Sequence, residues 1–583
     1  MNVLLIFPPI SDPRAPHLAQ ACLAASLRKE GHEVELWDLD MDMALKLLNS
    51  ECLATALNRC KNKMLMIDKK EKKEFADASR WHALSEVFRT GKELPCGINQ
   101  ALNILRCDEF YDLHKFRWAR KTINQALKLI SVSLLPKLMY QMDGQIFETA
   151  YRADRFSDLQ QAVLDDEATL FGPLYDQHVL PRVSFFKPDL IGLSILNYQQ
   201  IIPGLTLSHR LKREGWPVYI GGTVFVKFIQ AIKNESNFFS LCDGVIVYEG
   251  ETALIHLLKA MEKGETFDNV PNLIFPINEN VQSNTPYFVE DLNHLPTPDF
   301  DGLPLNDYLA PQMVLPYNLG KGCYWSRCNF CEIPFINKIA YKDYRVKNVG
   351  LIVDQLEELS EKYQTPYFQF TDESCHPDLL FDISTEIINR KLSIRYICYA
   401  RFDTGFTNTC CKHLYKGGCR KLLFGLESGS QKILDVINKG ISVAKAEEIL
   451  RHCRDAHICF RVFAMIGLPN ETREDALKTY EFYIRNSDLF LSPFNHFEFS
   501  PFHLDRHSCF ATAPETYGIQ YTKGNEGSFS LGGWEFHTKD GMDAKILKKI
   551  YRKITGELYH RLKVAEKYSG WEEYSLLAID HFN

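Results

Sequence analysis

Cys323, Cys328 and Cys331 are separated by four and then two residues in the run Gly322-Cys323-Tyr324-Trp325-Ser326-Arg327-Cys328-Asn329-Phe330-Cys331. Three thiols on one short loop form a soft donor set that suits an iron–sulfur cluster or zinc. The chain has no equally tight fourth cysteine or histidine, so a metal group held here keeps a coordination position for an outside ligand. Spacing alone leaves one alternative open, a zinc knuckle completed from a distance by Cys375 or His376.

The elements that must position this loop follow it. Apolar, β-rich runs at 313–318, 366–370, 394–399, 420–425, 460–466 and 496–500 alternate with amphipathic stretches such as 348–363, 379–390 and 444–456. Strand and helix patterns in strict alternation predict parallel βα units, and six of them predict a partial (βα)6 barrel of the TIM type. Chemistry in such barrels gathers where strands end. The residues at those ends are the cysteine loop, Asp372 and Glu373, Arg401, Glu427-Ser428-Gly429, and Gly467-Leu468-Pro469.

Three motifs in this order resemble the radical S-adenosylmethionine (SAM) enzymes, in the branch with an N-terminal cobalamin-binding domain. They are the cysteine loop, with Phe330 as the aromatic before its last cysteine; the run from Leu423 to Ser430 (Leu-Phe-Gly-Leu-Glu-Ser-Gly-Ser), followed by Ile437-Asn438-Lys439-Gly440; and the run from Met465 to Thr472 (Met-Ile-Gly-Leu-Pro-Asn-Glu-Thr). Two departures stand out. Four residues rather than the commoner three separate Cys323 from Cys328, and Asn470 replaces a usual glycine, a change that a left-handed turn tolerates.

The N-terminal half begins as an open α/β sheet. A strand pattern at Val3–Phe7 leads to Pro8 and Pro9, then comes a helix over 18–30 ending at Gly31, and a second strand over 33–38. The pattern resumes at 188–194, 218–222 and 245–251. Ligands of such sheets lie beyond the strand ends, which places Pro8, Pro9, Ser194, Gly221, Gly222 and Glu249 around one crevice. These segments look like the family's cobalamin-binding domain. The Asp-x-His-x-x-Gly loop that gives cobalt a histidine is missing, since Asp12 and His17 are too far apart, and Tyr248 replaces the glycine usual before Glu-Gly-Glu.

Residues from about 41 to 186 break the alternation and read as a helical insertion, with a solvated mixed-charge run at 68–74 and a packing stripe from Phe110 through Phe116, Trp118, Leu127 and Leu134 to Tyr140. The expected domains are a Rossmann-like sheet over 1–295, the barrel over 305–500, and an α+β C-terminal region over 501–583 on the substrate side. The proline-rich stretch 296–304 links the first two. From Asp488 onward the chain is rich in aromatics and histidines, among them His496, His503, His507, Trp534 and His537, in a stretch that contains a loop over 524–533; each histidine is read as packed or surface rather than as a ligand.

At 583 residues the chain can build full cores without metal, so a cluster here is for chemistry. Seventeen cysteines and no signal peptide predict a reducing, cytoplasmic setting. A formal net charge of −7 with no basic stripe argues against nucleic acid as a partner, and no apolar run is long enough to span a bilayer.

The resemblance implies the rest. Cys323, Cys328 and Cys331 would hold a [4Fe–4S] cluster whose fourth iron binds SAM, with an external low-potential electron donor. A 5′-deoxyadenosyl radical would abstract hydrogen from an unactivated carbon of a peptide or small natural product, and cobalamin would supply a methyl group. Phe330, Asp372, Glu373, Arg401, Glu427, Ser428 and the backbone of Gly467, Leu468 and Pro469 are the implied SAM contacts. Radical chemistry of another type without cobalamin, such as cyclisation or rearrangement, and a non-enzymatic metal-binding module are the alternatives. A transfer-RNA methylthiolating relative is disfavoured, because the N-terminal cysteines (Cys22, Cys52, Cys60, Cys96, Cys107) are scattered.

Overall fold

The computed structural model describes residues 1–582 except 136, 142–145, 340–343, 522–535, 565–566 and 569–570. The predicted loop over 524–533 and Trp534 therefore lie outside the described residues. The chain divides into two compact units, one built from Met1–Glu290 with Pro298–Met313, the other from Asp291–Thr297 and most of the chain after Val314.

In the first unit, strands Asn2–Phe7, Glu33–Asp38, Leu190–Ser194, Val218–Gly221 and Gly244–Ile246 form a parallel sheet. Glu33–Asp38 lies at one edge beside Asn2–Phe7, and the antiparallel strands Leu273–Ile277 and Asn280–Ser283 close the other edge. The order reverses at Asn2–Phe7, which is flanked by the second strand and by the third. The insertion is helical from Leu39–Leu47 through the 22-residue helix Leu113–Leu134. Phe116, Leu127, Leu134 and Tyr140 are buried as a packing stripe requires, whereas Trp118 turns outward. The charged run 68–74 is solvent-exposed.

Residues 298–313 do not act as a free linker but dock on the first unit. The Arg28 guanidinium pairs with Asp299 at 2.6 Å, Tyr308 donates its hydroxyl to Asp38 at 2.7 Å, and the Leu309 N–H donates to the Pro13 carbonyl. Prolines signalled a break in secondary structure there, but tertiary side-chain partners decide where such a segment lies.

The second unit is an open six-stranded parallel sheet, Leu315–Tyr317, Tyr367–Cys375, Arg395–Ala400, Cys419–Glu427, Cys459–Ile466 and His496–Pro501, each strand beside the next. Helices Val349–Tyr363, Pro377–Arg390, Asn408–Lys416, Val443–Asp455 and Arg473–Arg485 cover its outer face. This is the expected partial barrel. Its fifth strand alternates cleanly: Phe460, Val462, Ala464 and Ile466 are buried against the helices, while Cys459, Arg461, Phe463 and Met465 are half-buried on the inner face. Fully burying each large apolar side chain contributes about 1.5–3 kcal/mol, so the helix-facing set holds the sheet while the inner face stays free for other work.

The C-terminal region splits between the two ends of the barrel. Residues 502–521 pack at the cysteine end, where the Phe510 N–H donates to the Asn329 carbonyl and His507 stacks on Phe335 at 4.1 Å. The last helix, Glu572–Phe582, lies at the opposite end. There Asp580 accepts from Tyr367 (3.1 Å), Arg395 (3.1 Å) and Arg420 (3.2 Å), residues at the starts of three neighbouring strands. No helix among the described residues is long and apolar enough to cross a membrane.

Candidate active site

The cysteine loop is fixed from both sides. Before it, Asp372 accepts the N–H groups of Leu319 (2.9 Å) and Gly320 (2.7 Å), and Gly320–Lys321 pairs antiparallel with Arg345–Val346. Within it, the Asn329 N–H donates to the Ile437 carbonyl, its side chain donates to Val436 (2.8 Å), and the Trp325 indole N–H donates to Asn438 (2.9 Å). The loop therefore hangs on the segment that follows the fourth-strand motif. Gly440, at φ +66°, is required there, because an added Cβ would lie 2.1 Å from the Trp325 ring.

Arg401 is fully engaged in this scaffold. Its guanidinium stacks on Trp325 at 3.9 Å, donates to the Lys439 and Gly440 carbonyls, and pairs with Asp403, which also receives the Tyr324 hydroxyl. Asp372 likewise spends both carboxylate oxygens on backbone, and burial pushes it up to about 7. Glu373 differs. It is accessible to solvent yet enclosed by protein, the signature of a recess, and that enclosure holds its carboxyl above the usual range. Its charge reaches Cys331.

Beside the thiols lies a buried ion pair. Lys439 Nζ is 2.7 Å from Glu427 Oε1 and 5.7 Å from the Phe330 ring centroid. Burial disfavours the ammonium, but the charges of Glu427, Cys328 and Cys331 outweigh it and keep Lys439 above its ordinary value. Gly425 makes room for this pair, since a Cβ there would meet Glu427 Oε1 at 2.3 Å and Lys439 Nζ at 2.8 Å. Glu427 itself takes a left-handed conformation, φ +67°.

The donor set fits a cluster better than a single ion. Burial pushes the Cys331 thiol up to about 12 and raises Cys328 too, so both stay protonated unless a metal displaces the proton. The Ile333 N–H donates to Cys331 Sγ at 3.4 Å. Cys323, Cys328 and Cys331 are near enough to feel one another in sequence order. Yet among the described residues no three Cys, His, Asp or Glu side chains converge on one metal ion. The proposed closers of a zinc knuckle are also committed elsewhere, Cys375 to Cys398 in the barrel core and His376 to capping helix Pro377–Arg390.

Ser428 and the Gly-Leu-Pro turn belong to one brace. Ser428 Oγ and the Gly429 N–H reach Thr479, while Ser430 and Lys432 reach Asp475, which burial would raise but whose bonds hold it well below the usual carboxylate range. Glu471 accepts the Gly467 N–H (2.5 Å) and the Leu468 N–H (3.3 Å), with Pro469 completing the turn. Burial pushes Glu471 up to about 8 from 4.5. The native state thus holds a proton that the unfolded chain has lost, and stability falls as pH rises from about 4.5 to about 8, by at most about 1.4 kcal/mol per pH unit. Glu471→Gln is expected to remove that slope; urea titrations at pH 5 and 8.5 should show the wild type losing more stability than the variant.

In the first unit, Pro8, Pro9, Ser194, Gly221, Gly222 and Glu249 all follow the carboxyl ends of parallel strands. The Ile195 N–H donates to Gly221, and Gln200 bridges from Leu196 to the Pro8 carbonyl (2.6 Å). Gly222, at φ +123°, packs backbone on backbone, for a Cβ would sit 1.9 Å from the Ile195 carbonyl. Glu249 is turned away, accepting the Glu290 N–H at 2.5 Å. Tyr248 packs against Tyr287 at 4.9 Å with the rings tilted by 54°, and its buried hydroxyl has no partner among the described residues. His17 stacks on Phe7 at 3.6 Å, and burial lowers it to about 4.

Sequence reasoning missed Lys439, Trp325 and the charged floor of the barrel. Lys439 sits inside a quoted motif, and only its pairing with Glu427 twelve residues away gives it a task. The floor is Lys421, wholly buried, which donates to Ser575 (2.9 Å) and approaches His496 Nδ1 (3.2 Å) and Glu572 (3.3 Å). An isolated lysine in a strand and an acid in a distant helix carry no signal of that contact.

Comparison with known proteins places these features in context. The model of the radical SAM superfamily matches residues 317–483. An uncharacterised methyltransferase of Pyrococcus horikoshii is 27% identical over 51% of this chain and 64% of its own length. An anaerobic magnesium-protoporphyrin IX monomethyl ester cyclase of Rubrivivax gelatinosus is 23% identical over 53% of this chain and 56% of its own. The chain thus matches less than two thirds of either relative. In fold it is similar to the radical SAM methyltransferase TsrM from Kitasatospora setae, solved with cobalamin and a [4Fe–4S] cluster (TM-score 0.54, 14% identity, 96% of this chain and 90% of that one). It is also similar to the cobalamin-dependent radical SAM enzyme OxsB, solved with aqua-cobalamin and SAM (TM-score 0.59, 13% identity, 100% and 75%).

Proposed function

We propose that this chain is a radical SAM enzyme, in the branch whose fold adds an N-terminal open α/β domain, and that it methylates an unactivated carbon of a small molecule or peptide. Cys323, Cys328 and Cys331 would hold a [4Fe–4S] cluster with SAM on its open iron, and the strand edge at Pro8, Pro9, Ser194, Gly221 and Gly222 would hold cobalamin. When bound, these groups supply one-electron cleavage of SAM and a transferable methyl group; an external low-potential donor supplies the electron.

The observation that carries this reading is the buried Lys439–Glu427 pair set against three spread thiols at the mouth of a parallel barrel. The residues' own work is positional. Lys439 balances negative charge at the thiols in a site that burial makes electrostatically sensitive. Trp325 and Arg401 clamp the loop, so its sulfurs keep their spacing. Glu373, enclosed and without a cationic partner among the described residues, suits the SAM ammonium. The Gly467-Leu468-Pro469 turn, braced by Glu471, presents backbone to the adenine. The helix-sealed barrel floor keeps water from the reacting carbon. All seventeen cysteines are free thiols, which supports a reducing cytoplasmic setting.

One observation favours radical chemistry without cobalamin: Glu249 is spent on the Glu290 backbone and Tyr248 puts a bulky ring beside it. Anaerobic reconstitution followed by incubation with SAM, a low-potential reductant and methylcobalamin separates the two. We expect iron and sulfide at about four each per chain, and both 5′-deoxyadenosine and S-adenosylhomocysteine by mass spectrometry, lost together in Cys328→Ala. 5′-Deoxyadenosine alone would select the reading without cobalamin. An iron-free protein would overturn both.

A further inference from the structure

The expected absence of a basic stripe fails at one helix of the second unit. Helix Ala544–Arg561 carries Lys545, Lys548, Lys549, Arg552, Lys553 and Arg561 against a single acid, Glu557. At 3.6 residues per turn the first five fall on one side of the helix, along about 12 Å. All six are exposed, and no side chain among them has a hydrogen bond or ion pair among the described residues. Gly556 lies on the same side and leaves the backbone bare, with nothing within 4 Å of an added Cβ.

The stability of the helix does not call for this row. Lys545 stands in the first turn, where the helix dipole disfavours a cation, and Lys545 with Lys549, Lys548 with Arg552 and Lys549 with Lys553 are like-charged pairs one turn apart. Exposed cations elsewhere in this unit reach acids, as Arg390 does with Asp354, Glu357 and Glu386, and Arg485 with Glu447. The apolar side of the helix is already used. Ile554 and Leu558 are buried, Tyr551 stacks on Phe499 at 6.0 Å, and a Cβ at Gly467 would lie 2.8 Å from Leu547. A helix seated on the barrel in this way presents its cations to a partner in solution and has no apolar side left to lay into a bilayer.

The row begins at the same ends of the strands as the cysteine loop. Gly467 follows strand Cys459–Ile466, and the Asn470 N–H donates to Thr538, shortly before the helix, at 3.3 Å. The Asn470 side chain donates to the Tyr517 carbonyl (3.0 Å), the Tyr517 ring meets Phe510 at 4.7 Å, and the Phe510 N–H donates to Asn329, between Cys328 and Cys331. A short row of cations gives fast, charge-steered approach over a small contact area, the pattern of brief redox encounters.

We infer that the exposed side of helix Ala544–Arg561 docks the external electron donor, a small redox protein with an acidic face. One electron passes from the carrier, oxidised by one, to the group held at the thiols, reduced by one; no bond forms or breaks. The inference deepens the proposed radical reading and rests on it for the electron's destination.

Flavodoxin, an acidic flavin protein, is the probe. Stopped-flow mixing of its hydroquinone with the anaerobically reconstituted full-length protein reads the rate of cluster bleaching, and calorimetry reads binding of the oxidised form, with iron assayed on the same samples. The triple variant Lys545→Glu, Lys549→Glu, Arg552→Glu should be reduced ~10-fold more slowly at low salt, bind flavodoxin ~10-fold more weakly, and lose the wild type's steep salt dependence. Reduction by the methyl viologen radical cation should stay within about 2-fold, as should flavodoxin reduction after the same charge change at exposed Lys61, Lys69 and Lys72 of the other unit. A rate and affinity that survive the triple reversal, an equal loss in the distant set, or tighter row-dependent binding of a short RNA duplex or of phosphatidylglycerol vesicles would overturn it. Row-dependent flavodoxin binding by protein that takes up no iron would leave the docking surface standing and remove the radical reading; a cluster whose reduction ignores the row would do the reverse.

Discussion

Lys439→Met is expected to destabilise the cluster-free protein by about 3–5 kcal/mol and to prevent stable iron loading. Removing one partner of a buried pair leaves an uncompensated charge, and that penalty is what sets the magnitude. Glu427, 2.7 Å from the ammonium and buried, would be the orphan. Its backbone is held at φ +67°, and the Gly425 face against it has no side chain, so the carboxylate has little room to escape. As the thiols ionise for metal, their thiolates would also meet like charge from one another with no Lys439 to offset it. Lys439→Arg should not rescue, because the planar guanidinium needs space that the Phe330 ring and the Gly425 backbone occupy. Lys439→Met with Glu427→Gln is the informative control: with both charges gone, most of the lost stability should return while iron loading stays impaired. Urea titration of cluster-free protein and iron content after reconstitution read the two effects separately. A single variant that loses less than about 1 kcal/mol would mean that the pair is not held as the geometry indicates.

The barrel was legible because apolar β-rich runs alternate with amphipathic helices, and the cysteine loop was legible because three soft donors in nine residues have few other uses. Boundaries were less so. The second barrel strand runs on to Cys375, past the predicted end at 370, with a register shift after Phe370. Asp372 causes this, pulling the strand toward Leu319 and Gly320, and no local propensity encodes a carboxylate's choice of backbone donors 52 and 53 residues away. The same reasoning separates the implied site residues. Glu427 and Glu373 stand at the recess, whereas Arg401 and Ser428 brace it from behind. Types and spacing placed these residues at the strand ends; only packing tells which of them are committed to bracing the fold. The segment 298–313 and the last helix illustrate the remaining gap. Each is placed by salt bridges and hydrogen bonds to partners tens to hundreds of residues away, such as Asp299 with Arg28 and Asp580 with Arg395.

Glu572→Ala is the second large effect we expect, again about 3–5 kcal/mol at pH 7, through the opposite end of the barrel. Glu572 accepts from Arg461 at 2.6 Å and lies 3.3 Å from Lys421, and it is the carboxylate both cations share. Burial already holds Lys421 below its ordinary value, and Arg461 pushes the same way. Without Glu572 the two cations face each other, so Lys421 should give up its proton in the folded state while the unfolded chain keeps it. The unfolded state then binds more protons, and stability must rise with pH wherever that holds. The variant should therefore recover part of its deficit between pH 7 and 10, more steeply than the wild type. Lys421→Met in the Glu572→Ala background removes the titrating group and should flatten that recovery. Because Glu572 opens the last helix, whose far end Asp580 ties to three strand starts, the single variant should also become cleavable near residue 571 under limited proteolysis. Denaturation at pH 7 and 10 with proteolysis on the same samples checks both, and a pH-independent deficit with an intact C-terminus would assign Glu572 to packing rather than to charge.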